Sequence, residues 1–159
     1  MKPVVFPGSF DPVTNGHIDL IKRAKSVFGA VRVIVFYNAT KQGLFTPQER
    51  VQLLQEALSG EEDVTVESST SVLADYMKKN GLTTIVRGLR SAHDWNYERT
   101  NAYYNHVFNP GVETVFFPAD EKYQFISSSL VKEAAKYGAD VSKFVPPCVC
   151  EALKTRKIS

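Results

Sequence analysis

Residues 4–18 read Val4-Val5-Phe6-Pro7-Gly8-Ser9-Phe10-Asp11-Pro12-Val13-Thr14-Asn15-Gly16-His17-Ile18. Val4-Val5-Phe6 is a short apolar strand that stops at Pro7-Gly8. From His17 to Phe28 the apolar residues Ile18, Ile21, Ala24 and Phe28 recur at helical spacing, and Gly29 ends the run. A polar loop between a strand and a helix places free N–H groups and the positive end of the helix dipole at the strand terminus, where phosphate binds well. Gly8 and Gly16 allow the backbone a close approach to a ligand, and His17 lies in the first helical turn, within reach of a phosphate oxygen. The loop is neither the G-x-G-x-x-G dinucleotide fingerprint nor a P-loop. An isolated T-x-G-H also reads as a turn with a capping histidine.

Working outward, the strand-then-helix unit recurs. Val31–Tyr37 is nearly all apolar and β-branched, which suits a sheet covered on both faces. Thr46-Pro47-Gln48-Glu49 is a capping box with proline at the first helical position, and its helix turns Val51, Leu54 and Leu58 inward before Ser59-Gly60. Val64-Thr65-Val66 precedes a helix over Val72–Lys79, closed by Asn80-Gly81. Thr84-Ile85-Val86 precedes a long helix from Ala92 to Val107. Thr114–Phe117 precedes a helix over Ser128–Tyr137, closed by Gly138, and Pro146-Pro147 opens a last short helix through Leu153. Such alternation predicts an α/β protein built on one parallel sheet with right-handed crossovers. Residues 1–159 are expected to form a single domain whose C-terminal segment, about 140–159, is helical.

Composition fits that picture. The chain has 159 residues, 43% hydrophobic and 23% charged, with a net charge of +2. These values exclude a disordered, collagen-like or membrane-spanning chain, and no apolar run approaches the ~18 residues of a membrane helix. The small basic excess gives no electrostatic case for nucleic-acid binding, so any bound anion must be held by a few placed cations. The N-terminal stretch breaks before it could form a signal-peptide core. Cys148 and Cys150 point apart on a helix and carry no histidine partner at zinc spacing, which predicts free thiols in a reducing cytoplasm.

In a parallel sheet, ligands bind beyond the carboxyl ends of the strands, where strand order reverses. There the sequence offers Ser9, Asp11, Asn15 and His17 after the first strand, and Asn38, Thr40 and Lys41 after the second. Ser68–Ser71 follow the third, Arg87 and Arg90 the fourth, and Ser127, Ser128 and Ser129 the fifth. Guanidinium forks match phosphate oxygens bidentately, and the glycine of Arg87-Gly88-Leu89-Arg90 lets the chain wrap closely. Individually, R-G-L-R also reads as a solvated turn, Ser127 as a plain N-cap and Lys41 as a surface lysine. Together they converge on one sheet edge.

With Thr14-Asn15-Gly16-His17, Arg87-Gly88-Leu89-Arg90 and Tyr123-Gln124-Phe125-Ile126-Ser127-Ser128-Ser129 in this order and spacing, the chain resembles the bacterial phosphopantetheine adenylyltransferases. These lie within the nucleotidyltransferase superfamily marked by T/H-x-G-H and I-S-S-S/T. The likeness runs from Pro7-Gly8-Ser9-Phe10-Asp11-Pro12 to Phe144-Val145-Pro146-Pro147. It implies a Rossmann-like domain with five parallel strands in order 3-2-1-4-5, helices on both faces, a homohexamer and coenzyme A as a feedback ligand. The implied reaction joins ATP and 4′-phosphopantetheine into dephospho-coenzyme A and pyrophosphate. A phosphate monoester, already largely dianionic at neutral pH, needs in-line placement and charge neutralisation rather than a strong base.

Carried over by position, the resemblance makes His17 the group stabilising the pentavalent phosphorus, and Lys41 and Arg87 the pair gripping the acceptor phosphate. Arg90 and Ser128 join them as catalytic candidates. Ser9 contacts both substrates, and Leu73 contacts the pantetheine arm through its backbone. ATP is assigned to Ser9, Phe10, His17, Gly88, Leu89, Arg90, Glu98, Tyr123, Gln124, Phe125, Ile126, Ser127, Ser128 and Ser129. Magnesium arrives with the triphosphate, with no protein cage for it. The chain departs from the family at Gln42, where a second lysine is usual, and at Asn96 in Trp95-Asn96-Tyr97-Glu98, where a glutamate is usual. Neither position carries an assigned catalytic role. Sister enzymes acting on nicotinate mononucleotide or glycerol phosphate would keep the His17 and Ser127 motifs without requiring Lys41 and Arg87. A non-catalytic nucleotide sensor or an assembly subunit would have no need of His17, Lys41 and Arg87 together.

Overall fold

The structure, a computed structural model, describes residues 2–156. The last three residues of the expected C-terminal helical segment lie outside them. In chain order the elements are β1 (Val4–Gly8), α1 (Asn15–Phe28), β2 (Val31–Phe36), α2 (Pro47–Ala57), β3 (Val64–Ser69) and α3 (Leu73–Asn80). There follow β4 (Thr84–Leu89), α4 (Ala92–Phe108), β5 (Glu113–Pro118), a 3-10 turn (Glu121–Tyr123), α5 (Ser128–Lys136) and α6 (Pro147–Lys154). The five strands are all parallel, in order β3-β2-β1-β4-β5. The chain winds outward from β1 through β2 to β3, then returns past β1 to β4 and β5. The order therefore reverses between β1 and β4, and the loops leaving those two strands open a crevice there.

Alternation along each strand divides the core into two layers. Val4, Phe6, Val33 and Val35 face Ile21, Ala24, Leu53, Leu54, Val131, Val149 and Leu153, so α1, α2, α5 and α6 cover one side. Val5, Ile34 and Ile85 face Tyr76 and Met77 of α3 on the other. Helices thus lie on both faces, as expected. Two inward stripes differ in detail. Leu20 is buried in α1 while Ile18 and Phe28 are only half-buried, and in α2 Leu53 and Arg50 are buried while Val51 is not fully so. Leu20 goes in because its neighbour across the layer is Gly88, where a Cβ would lie 2.3 Å from Leu20 Cδ1. Arg50 goes in because a buried carboxylate awaits it.

Three strands run more than one residue further than the apolar pattern indicates, while β5 gains a single residue at each end and β2 stops at Phe36 rather than Tyr37. β1 continues through Pro7-Gly8, β3 through Ser69 and β4 through Leu89, each extension paired in register with a neighbouring strand. Ladder hydrogen bonds need only backbone, so a parallel neighbour extends a strand past its last apolar residue. Consequently Arg87 and Gly88 lie within β4 rather than after it. Thr46 caps α2 with the expected box, its hydroxyl accepting from Glu49 N–H while Glu49 Oε2 accepts from Thr46 N–H at 2.7 Å. Cys148 and Cys150 are both free thiols on α6.

Candidate active site

α1 opens on a capping box of an unusual kind. Thr14 Oγ1 accepts from His17 N–H at 3.3 Å, and Thr14 N–H donates to His17 Nδ1 at 3.1 Å, so a histidine occupies the position usually held by glutamate. With Nδ1 accepting, the neutral ring carries its proton on Nε2. Phe10 packs its ring edge-on to the imidazole, centroids 5.1 Å apart, and is itself buried with a left-handed φ of 47°. Its ring fills the space a side chain on Gly8 would need: a Cβ there would meet Phe10 Cζ at 2.9 Å. At Gly8 and Gly88 the space a side chain would need is thus taken by Phe10 and Leu20, while both glycines also line the first cleft. Burial, with Arg87 and Arg90 nearby, lowers the His17 pKa from 6.5 to about 4. At neutral pH this histidine is an uncharged donor.

The two arginines are held differently. Arg87 Nε donates to Glu98 Oε2 at 2.9 Å, its Nη2 meets Glu98 Oε1, and its Nη1 donates to the carbonyl of Pro7. Glu98, the buried residue of α4, thus grips the guanidinium bidentately and partly offsets its charge. Arg90 pairs with Asp94, Nε to Oδ2 at 3.0 Å, and its Nη1 donates to Ile126 O at 3.2 Å. Arg90 holds the Asp94 carboxyl below its ordinary range against the opposing effect of burial. Asp94 escaped the sequence reading, and its only signal was its place four residues beyond Arg90 at the start of a helix.

Three clefts surround this constellation. The first, about 250 Å³, brings together Ser9, Phe10, His17, Arg87, Gly88, Arg90, Glu98, Tyr123, Ile126, Ser127, Ser128 and Ser129. Leu89, Gln124 and Phe125, expected with them, do not line it, and Phe125 is 82% exposed. Lys41 lines a second cleft of about 690 Å³, which shares Ser9, Ser128 and Ser129 with the first. Leu73 lines a third, about 470 Å³, which shares Ser9, Arg87 and Glu98 with the first. Ser9 belongs to all three and marks their junction. Lys41 is thus a neighbour of the His17 cleft rather than part of its wall. At the start of α5, Ser127 Oγ caps Leu130 N–H at 3.1 Å and Ser128 Oγ donates to Pro12 O at 2.7 Å. The Ser127 hydroxyl therefore acts as a cap, and the N-terminal end of α5 faces the cleft with a positive dipole.

The cytidylyltransferase-like family model matches residues 5–134. Phosphopantetheine adenylyltransferase of Streptomyces coelicolor is 46% identical over 156 residues, covering 98% of each chain. The chain belongs to the cytidylyltransferase-like family and, within it, to the phosphopantetheine adenylyltransferases. The same fold is seen in a solved structure from Vibrio parahaemolyticus, provisionally assigned as a nicotinate-nucleotide adenylyltransferase. That structure matches with a TM-score of 0.70 and 19% identity over 98% of this chain and 100% of that one. The cytidylyltransferase-like match spans the region from β1 into α5 and so contains His17, Arg87 and Ser127–Ser129, while α6 lies beyond it.

Proposed function

We propose that the protein transfers the adenylyl group of ATP to 4′-phosphopantetheine, giving dephospho-coenzyme A and pyrophosphate, the penultimate step of coenzyme A synthesis. The observation that carries this reading is the 46% identity with phosphopantetheine adenylyltransferase along 98% of both chains. The cleft supplies suitable chemistry. An oxygen of the acceptor phosphate attacks the α-phosphorus of ATP, and the bond to the leaving pyrophosphate breaks. In the pentavalent transition state between these events negative charge builds on the non-bridging oxygens, where His17 Nε2–H is a preorganised donor. Being uncharged at rest, His17 does not bind the ground-state anion as a cation would, which favours its use in the transition state. Arg90 and the N-terminal end of α5 serve the polyphosphate. The acceptor phosphate sits near Ser9, between Arg87 and Lys41, with the pantetheine arm along the third cleft past Leu73.

Among the described residues no three His, Cys, Asp or Glu side chains come together to hold a metal. The acids lining the first cleft, Asp94 and Glu98, are both ion-paired. A divalent cation, proposed as magnesium, would arrive with the triphosphate and supply charge neutralisation there. The single-domain organisation, the homohexamer, feedback by coenzyme A and a cytoplasmic location belong to the same proposal. Among the described residues no helix is long and apolar enough to cross a membrane.

The test is pyrophosphate release with ATP, magnesium and a panel of phosphorylated acceptors. Turnover with 4′-phosphopantetheine far above nicotinate mononucleotide or glycerol phosphate supports the reading, and preference for either of the latter overturns it. His17→Ala is expected to lower kcat by about 10²–10³-fold while ATP still binds. Lys41→Ala is expected to impair phosphopantetheine use more than ATP affinity.

A further inference from the structure

The Asp11 side chain is only 9% exposed, yet no role in the chemistry above falls to it. Its Oδ1 accepts from Phe45 N–H at 2.8 Å and lies 3.4 Å from Arg50 Nε. Its Oδ2 accepts from Leu44 N–H at 2.9 Å and from Lys132 Nζ at 3.3 Å. One side chain of the first loop thus ties down the segment that follows Lys41, the base of α2 and the second turn of α5. Arg50 completes the tie, donating Nε to Phe45 O at 2.8 Å and Nη1 to Ser9 O at 3.2 Å. Gly43 lies directly on this pair: a Cβ there would fall 1.8 Å from Arg50 Nη2 and 2.8 Å from Asp11 Oδ2.

Lys41 itself has little else to fix it. It is exposed, in a turn closed on its own N-terminal side, with Lys41 N–H on Asn38 O at 3.0 Å and Thr40 N–H on Asn38 Oδ1 at 2.9 Å. The connection from this turn to the rest of the site runs through residues 43–45 onto Asp11. We propose that Asp11 is a positioning residue that sets the Lys41 turn against Ser9, so that the acceptor phosphate is presented in line. A buried carboxylate suits the task because it can accept two backbone N–H groups and two cations at once, which no neutral side chain can do. The proposal rests on the acceptor-phosphate role given to Lys41.

Two variants approach the same junction from opposite sides. Asp11→Asn replaces one acceptor oxygen by an NH2 group facing donors, and Gly43→Ala keeps the Asp11 carboxylate but crowds both it and Arg50 apart. Each is expected to raise KM for 4′-phosphopantetheine about 10-fold or more while KM for ATP stays within about twofold. Equal movement of both KM values, or a fall in melting temperature with neither KM changed, overturns the proposal. The substrate reading is separately decided by the wild-type protein with 4′-phosphopantetheine. Should that fail, titration with inorganic phosphate still decides Asp11, with weaker phosphate binding in both variants supporting the proposal and unchanged binding overturning it.

Discussion

At His17, a single backbone amide determines which ring nitrogen carries the proton. Thr14 N–H occupies Nδ1, leaving Nε2–H for the cleft, while burial and two arginines keep the ring uncharged down to about pH 4. In the unfolded chain the same imidazole takes up its proton near 6.5. Between those values the unfolded state binds more protons, so this group's contribution to stability is present above pH 6.5 and is lost as pH falls toward 4. Imidazole NMR should accordingly give His17 a midpoint near 4, and denaturant unfolding should weaken between pH 6.5 and 4.5 by less in His17→Gln than in the wild type. A midpoint near 6.5 would refute the assigned tautomer and environment. The sequence offered His17 as a phosphate donor and, as the alternative, as a capping histidine, but not the reciprocal box with Thr14 that makes it both. T-x-x-H does not read as a capping box because histidine replaces the glutamate that such a box normally uses.

Capping has different consequences at two helices. On α2 the Thr46–Glu49 box fixes only a helix start, and Thr46→Ala is expected to cost about 1 kcal/mol, read by urea denaturation. On α1 the equivalent threonine also orients the cleft histidine. Element type and order were legible because apolar period and punctuation agree at nearly every position: Gly29, Gly81 and Gly138 end helices, and Pro47 and Pro147 begin them. The strand ends were not, since Ser68, Arg87 and Gly88 are held in the ladder by neighbouring strands distant in sequence. The packing demand on two glycines was hidden for the same reason. Space at Gly8 and Gly88 is taken by Phe10 and Leu20, contacts that exist only once β1, β4 and α1 have packed.

Across the whole molecule, α4 stands apart. Its one buried residue is Glu98, and Tyr97 and Tyr104, seven positions apart and hence on one face, are 65% and 52% exposed, beside Phe108 at 65%. A second copy of the chain is the occupant that the proposed homohexamer supplies for the outer part of this face, where Tyr104 and Phe108 also border the third cleft. Light scattering should give a mass near six times 17.8 kDa, and Tyr97→Asp with Tyr104→Asp should reduce it toward the protomer mass. A monomeric wild-type protein would remove the assembly from the proposal. The sequence by itself determined the alternating elements, the sheet edge carrying the polar residues and the motifs naming the chemistry, because these depend on residue type at short spacing. The tertiary structure alone decided that Glu98 clamps Arg87 and that Asp11 accepts from Leu44 and Phe45 beyond β2 and from Lys132 of α5. Those carboxylates find their partners across the reversal of strand order or between a strand end and the helix after it, and pairing at that range is set by packed geometry rather than by local pattern.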